Sequence, residues 1–169
     1  MKKVLFAAVI VAGISAGCGK LPEAELWRRA EFAYANKNAD SSIQVCQKII
    51  EQYPQGENAP KAMFMIADAN INMRHDYHAA IAQFYSFIQR YPDQKKTPVA
   101  LFQIGFLYNN ELKMFDSAKA AYQDFIAKYP THELKSSAEF ELATMGKNPD
   151  EIIKEEPLAK KQVTRKGTK

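Results

Sequence analysis

The side chains best suited to catalysis or metal binding are few in this chain of 169 residues, which has three histidines and two cysteines. His75 and His78 are three residues apart, but they flank a predicted turn and no cysteine lies beside them, which disfavours a zinc site. The stretch MGKN, residues 145–148, lacks the further glycines and the Ser or Thr of a phosphate-binding loop. The sequence therefore predicts no enzyme, no metal site and no cofactor.

Cys18 is the exception, because its position suggests a covalent modification. Two lysines and a thirteen-residue apolar run, 4–16, precede it, which is the layout of a secretory signal and is too short for a membrane span of about 20 residues. The stretch SAGC, residues 15–18, resembles a bacterial lipobox, although Ser15 replaces the usual leucine. We expect residues 1–17 to be removed and the Cys18 thiol to carry a diacylglyceryl group. The alternatives are an ordinary cleaved signal with an incidental cysteine, or a buried apolar helix.

With Cys18 acylated, Cys46 is the only thiol left, so no intrachain disulfide can form. Cys46 falls on the apolar face of a predicted helix. We interpret it as a buried small hydrophobic residue rather than a reactive group.

The charge of the chain is concentrated at its two ends. The formal net charge is +4, with +2 from Lys2 and Lys3, +5 from residues 157–169, and therefore −3 over residues 18–156. A mildly acidic body does not favour nucleic-acid binding. The basic end, residues 149–169, is polar and predicted to be disordered.

An internal repeat organises the middle of the chain. The pairs Tyr53-Pro54, Tyr91-Pro92 and Tyr129-Pro130 recur at a spacing of 38 residues. Proline has no N–H group and a fixed φ, so each pair predicts the end of a helix. The residues between the pairs match the tetratricopeptide pattern most closely in the third unit: Leu101, Ile104, Gly105, Tyr108, Ala118, Tyr122 and Pro130. Small residues recur where two helices should touch: Ala30, Ala67 and Gly105, then Ser42, Ala80 and Ala118.

The apolar periodicity predicts helices at 22–36, 40–52, 58–74, 77–90, 96–112 and 115–128, followed by a cap at 133–146 that repeats the first helix of a unit. Each turn inside a hairpin carries an aspartate able to cap or charge-stabilise the next helix. The predicted fold is all-α: an α-solenoid of three tetratricopeptide hairpins plus a C-terminal capping helix. The predicted organisation is a signal at 1–17, a lipidated linker at 18–21, the repeat domain at 22–148 with repeats 22–55, 58–93 and 96–131, and the tail at 149–169.

A signal, a lipobox and hairpins joined by Tyr-Pro linkers together resemble the BamD-type (YfiO-like) outer-membrane lipoproteins. They are also similar to the tetratricopeptide part of Tol-Pal-associated proteins of the CpoB type. The resemblance implies a lipid-anchored adaptor at the outer membrane that faces the periplasm and binds protein. Gly19, in place of aspartate, agrees with outer-membrane sorting in such lipoproteins.

The candidate binding residues form an aromatic column. Its four members are spaced by 37, 38 and 38 residues, and two further rings follow on the same helices: Trp27, Phe64, Phe102 and Phe140, with Tyr34 and Phe106. By resemblance to tetratricopeptide proteins, this column faces the concave groove, where it would bind an extended peptide or a partner helix. The alternative is that the rings pack against the second helix of their own hairpin.

Two functions are consistent with these patterns. The first is a membrane-anchored periplasmic scaffold that binds a protein or peptide partner, with outer-membrane protein assembly as one such role. The alternative is a cell-envelope accessory of the Tol-Pal or peptidoglycan type that binds glycan or a division-related partner. Four amide side chains make the glycan alternative conceivable: Asn70, Asn72, Asn109 and Asn110.

Overall fold

The computed structural model describes residues 20–147, which form seven α-helices and no strand within that range. Cys18, the signal at 1–17 and the tail at 149–169 lie outside the described residues. The helices are α1 (Glu23–Ala35), α2 (Ala39–Gln52), α3 (Asn58–Ala69), α4 (Tyr77–Arg90), α5 (Thr97–Phe106), α6 (Phe115–Lys128) and α7 (Lys135–Thr144). Each helix contacts the next, and α1 also contacts α3. This is the predicted solenoid of three hairpins followed by a single capping helix.

The Tyr-Pro pairs end the second helix of every hairpin in the same way. Tyr53, Tyr91 and Tyr129 adopt nearly identical backbone angles, with φ between −132° and −128° and ψ between 56° and 61°. Each tyrosine N–H closes the last helical turn at 2.8 Å, and the proline that follows has no N–H to continue it. The Tyr91 hydroxyl also donates to the carbonyl of Pro54 at 3.1 Å, so this tyrosine links neighbouring hairpins.

The turns inside the hairpins share a backbone conformation. Lys37, His75 and Lys113 all have positive φ, at 56°, 53° and 55°, and are 38 residues apart. A left-handed residue just past a helix reverses the chain and lets its last carbonyls find N–H partners. The predicted aspartate cap is present at Asp76, whose carboxylate accepts from Ala79 N–H at 3.0 Å.

The other two turns differ from that expectation. In the first hairpin Asn38 is the cap and accepts from Ser41 N–H at 3.0 Å, while Asp40 lies in the first turn of α2. In the third hairpin Met114 precedes α6 without a side-chain cap, and Asp116 lies in the first turn. These two aspartates are placed to act through the helix dipole.

An inserted residue distinguishes the second and third hairpins from the first. Seven residues separate Ala30 from Lys37, whereas eight separate Ala67 from His75 and Gly105 from Lys113. The extra residue is accommodated by a π-helical turn at the end of the first helix, Asn70–Arg74 after α3 and Leu107–Glu111 after α5. This explains why the aromatic column has spacings of 37, 38 and 38.

The core lies between the two helices of each hairpin and between adjacent hairpins. The small residues predicted at the helix contacts are all buried: Ala30, Ala67, Gly105, Ser42, Ala80 and Ala118. Cys46 is fully buried, as predicted. Burial raises the pKa of its thiol to about 12, which makes it unreactive at neutral pH. No helix within residues 20–147 is long and apolar enough to cross a membrane.

Candidate partner-binding groove

The predicted aromatic column divides between core and surface. The Phe64 side chain is only 6% exposed, and its ring packs edge-on against Phe84 and Phe87 of α4, with centroids 5.4 and 4.6 Å apart. The Phe64 side chain is therefore not exposed. Its ring belongs to the core of its own hairpin, which was the alternative interpretation.

Phe102 occupies the equivalent position in the third hairpin. Its ring lies 5.5 Å from that of Tyr122 and 5.9 Å from that of Phe125, both on α6. Phe102 remains half-buried, so it contributes both to the core and to the surface. Equivalent positions on successive first helices thus make equivalent contacts with the second helices.

A cavity of about 240 Å³ lies where α1, α3 and the start of α5 meet. We call it the first-helix groove, because all but one of its lining residues come from first helices: Trp27, Tyr34, Lys61, Phe64, Met65, Asp68 and Lys96. Trp27 and Tyr34 are half-buried, and their spacing of seven residues puts both on one face of α1. The groove therefore brings together three predicted site residues, with Phe64 at its floor.

Two ammonium groups lie over two of these rings. Lys61 Nζ is 6.0 Å from the centroid of Trp27, and Lys96 Nζ is 4.6 Å from the centroid of Phe64. Such cation–π contacts are worth about 0.5–1 kcal/mol at exposed sites and more where water is excluded. Lys61 is also held by the Glu57 carboxylate at 2.7 Å. The groove therefore has an apolar floor and a cationic rim.

Asp68 supplies the opposite charge inside the groove. Burial raises the pKa of its carboxyl group, and the nearby Lys96 ammonium partly opposes that rise. Within residues 20–147 the Asp68 carboxylate makes no hydrogen bond and no close ion pair. Carboxylates that are partly desolvated beside a charged partner are found more often at binding and catalytic sites than elsewhere.

A second cavity, of about 510 Å³, adjoins the first-helix groove and shares Lys61 and Lys96 with it. Its wall is made by the loops after α2 and α4, including Gly56 and Lys95. Glu23 fixes one of these loops, because its carboxylate accepts from Asn58 N–H at 2.7 Å at the start of α3. A side chain on Gly56 would collide with that carboxylate, so the glycine leaves room for this contact between hairpins. The two cavities together offer an extended path across α3.

The remaining predicted site residues lie elsewhere. Phe106 is half-buried on α5 and does not line the first-helix groove. Phe140 is 55% exposed on α7 and lines a separate cavity at the C-terminal end. Asn70 and Asn109 are buried, and the Asn109 amide donates to Glu141 at 2.8 Å. Two of the four amides considered for glycan binding are therefore not on the surface.

Sequence reasoning missed the charged residues of the groove. Lys61, Met65 and Asp68 share the face of α3 that carries Phe64, at the i, i+4 and i+7 spacing, so helical periodicity could have found them. Lys96 comes from the next hairpin, and only the packing of α5 against the rest brings it to Phe64.

The lining of the first-helix groove contains no histidine, cysteine, serine or threonine. Residues 20–147 contain no group of three His, Cys, Asp or Glu side chains close enough to hold a metal ion. The His132 ring accepts from Leu134 N–H at 3.1 Å, a local contact that orders the loop before α7. Aromatic surfaces, two ammonium groups and one carboxylate are groups for recognition, by packing and ion pairing.

Stacked helical hairpins with a groove along the first helices define the tetratricopeptide class of repeat protein, whose members present extended surfaces to ligands. The chain belongs to the YfiO family, described as outer membrane lipoprotein, which it matches over residues 20–148, about three-quarters of its length. No curated protein matches the chain.

Proposed function

We propose that this protein is a lipid-anchored scaffold on the periplasmic side of the outer membrane that binds a protein partner in the first-helix groove. Membership of an outer membrane lipoprotein family supports the location. Assembly of outer-membrane proteins is the process we favour, from the resemblance to BamD-type proteins. We propose no catalytic role for the chain.

The observation that carries the proposal is the composition of the groove. Trp27 and Tyr34 leave part of their rings exposed beside the half-buried carboxylate of Asp68, which is partly desolvated. A partner that donates a hydrogen bond or a positive charge to Asp68 while covering the rings would offset that desolvation and bury the rings at once.

The anchor is proposed from the sequence. Cys18 is the residue expected to carry the lipid, and Cys18→Ser removes the thiol that accepts it. Metabolic labelling with palmitate and membrane fractionation should show the wild-type chain labelled and in the outer membrane, and the variant unlabelled. A variant that still takes up palmitate would exclude Cys18 as the lipidation site.

Site-specific photo-crosslinking in cells tests where the partner binds. Benzoylphenylalanine at Trp27 or Tyr34 should give a discrete adduct with another envelope protein, which mass spectrometry identifies. The matched controls are Phe32 and Tyr85, which are 69% and 44% exposed and lie outside the groove. Adducts of equal yield from the controls, or none from the groove positions, would contradict the proposal.

A further inference from the structure

The C-terminal end of the solenoid exposes an apolar surface that no described residue covers. Phe140 is 55% exposed, Met114 43% and Phe115 41%, which are three of the six large apolar side chains that are exposed among residues 20–147. Phe115 and Phe140 line a cavity of about 390 Å³ together with Asn109, Glu141, Gly146 and Lys147. We call this the C-terminal cavity.

The equivalent positions in the complete hairpins show which contacts Phe140 lacks. Phe64 and Phe102 each pack on two rings of the second helix that follows them, at centroid distances of 4.6–5.9 Å. Phe140 has the same position on α7, but no second helix follows α7 within the described residues. Exposure accordingly rises from 6% at Phe64 to 55% at Phe140.

The path of the chain points back towards this surface. After α7, Gly146 has a φ of +74°, the left-handed conformation that reverses the chain at Lys37, His75 and Lys113. Gly146 and Lys147 form part of the cavity wall. A Cβ atom added at position 146 would lie 3.9 Å from the Phe115 ring. The residues that follow thus start at the rim of the C-terminal cavity.

We propose that residues 150–156, with the sequence DEIIKEE, dock in the C-terminal cavity and place Ile152 and Ile153 against Phe140 and Phe115. The reach is sufficient: the six residues from Lys147 to Ile153 span up to about 20 Å when extended. Phe140 lies about 6 Å back along α7 from Thr144, the last residue of the helix.

The chemistry of the segment fits the cavity. Ile152 and Ile153 are the first adjacent apolar pair after α7. The segment carries one lysine and four acids, a net charge of −3, while Lys113 and Lys147 outnumber Glu141 at the rim. Apolar burial and charge both favour the contact. Pro157 limits the length of any helix there, so the segment would close the solenoid without extending it.

Thiol labelling in the full-length chain tests the proposal. Cys18→Ser leaves the fully buried Cys46 as the only native thiol, so Phe140→Cys provides a single reactive reporter. We expect maleimide to label this reporter slowly, and the added changes Ile152→Asp and Ile153→Asp to speed labelling at least about tenfold, because they release the segment. Phe32→Cys, at a position 69% exposed, is the matched reporter and should label at the same rate with either tail.

Each other outcome overturns the proposal. Equal rates with both tails would mean that residues 150–156 do not cover Phe140. Protection that grows with protein concentration would assign the cavity to a second copy of the chain, which light scattering would show as a dimer. Protection that appears only when envelope extract is added, and that survives both aspartate changes, would assign the cavity to another envelope component.

Discussion

Gly105 on α5 faces the ring of Tyr122 on α6 so closely that a Cβ atom at position 105 would lie 2.8 Å from two ring carbons. Real Cβ atoms essentially never approach carbon so closely, so the absence of a side chain is what lets these helices meet. The equivalent residues of the second hairpin are Ala67 and Phe84, which are both buried.

Substitution of this glycine should be destabilising only while the ring is present. Gly105→Ala should lower the free energy of unfolding by about 1–3 kcal/mol through overpacking, although alanine favours a helix by about 1 kcal/mol. In a Tyr122→Ala background the same change should be neutral or stabilising. Urea melts of the four proteins give the coupling energy. Equal losses in both backgrounds would show that the two residues do not interact.

The Tyr122 hydroxyl provides the second prediction. The hydroxyl is buried and has no partner in hydrogen-bonding geometry, although the Glu141 carboxylate lies close enough to raise its pKa together with burial. Tyr122→Phe should therefore leave stability unchanged or raise it by about 1 kcal/mol, as removal of an unpaired buried polar group does. Tyr91→Phe is the matched control, because that hydroxyl donates to Pro54 at 3.1 Å, and its loss should cost about 0.5–1.5 kcal/mol. Calorimetric melts showing equal losses for both variants would contradict this assignment.

Phe64 should behave as a core residue. Phe64→Ala should cost about 3–5 kcal/mol, because it leaves a cavity against Phe84 and Phe87. Phe32→Ala, at the most exposed large apolar side chain of residues 20–147, should change stability by no more than about 0.5 kcal/mol. Circular-dichroism melts distinguish the two variants. A Phe64→Ala melt that matches the wild type would show that this ring does not belong to the core.

Asp68 makes stability depend on pH in a defined direction. Because burial raises its pKa in the folded state, the folded chain binds its proton more tightly than the unfolded chain does. The Asp68 contribution therefore lowers stability as pH rises from about 3.9, the ordinary value for aspartate, through the raised folded pKa.

Asp68→Asn should remove that contribution. The variant should be more stable than the wild type at pH 7, and the difference should vanish below about pH 3.5, where the carboxyl is protonated in both states. Asp93→Asn, at an exposed position, controls for the loss of one negative charge. Unfolding curves across this range that are parallel for wild type and Asp68→Asn would exclude the desolvation effect.

Much of the fold could be predicted because short local motifs mark where its helices end and its turns begin. The Tyr-Pro pairs and the periodic turns place the six hairpin helices within about two residues of their expected ends, when the π-helical turns Asn70–Arg74 and Leu107–Glu111 are counted with α3 and α5. The π-helical turns were not predicted. The spacing of 37 between Trp27 and Phe64, against 38 in the later repeats, does indicate that the first hairpin lacks one residue that the others have. Met114 as the residue before α6 was not predictable, since it has no side-chain oxygen for capping.

The candidate site was less predictable, because burial depends on what packs against a face. The column correctly placed Trp27, Phe64 and Phe102 at equivalent positions, but it could not show that Phe84 and Phe87 cover Phe64. The groove itself requires Lys96, which lies 32 residues after Phe64 in the sequence. Such contacts follow from the stacking of hairpins and not from any local pattern.

Affinity for the crosslinked partner tests the central claim, that the first-helix groove binds a protein, most directly. Isothermal titration with purified components should show Trp27→Ala weakening binding by about 30-fold or more, which is about 2 kcal/mol, while its melt confirms a folded chain. Phe32→Ala on the same helix should bind like the wild type. Wild-type affinity for a folded Trp27→Ala protein, or equal losses for both variants, would contradict the account.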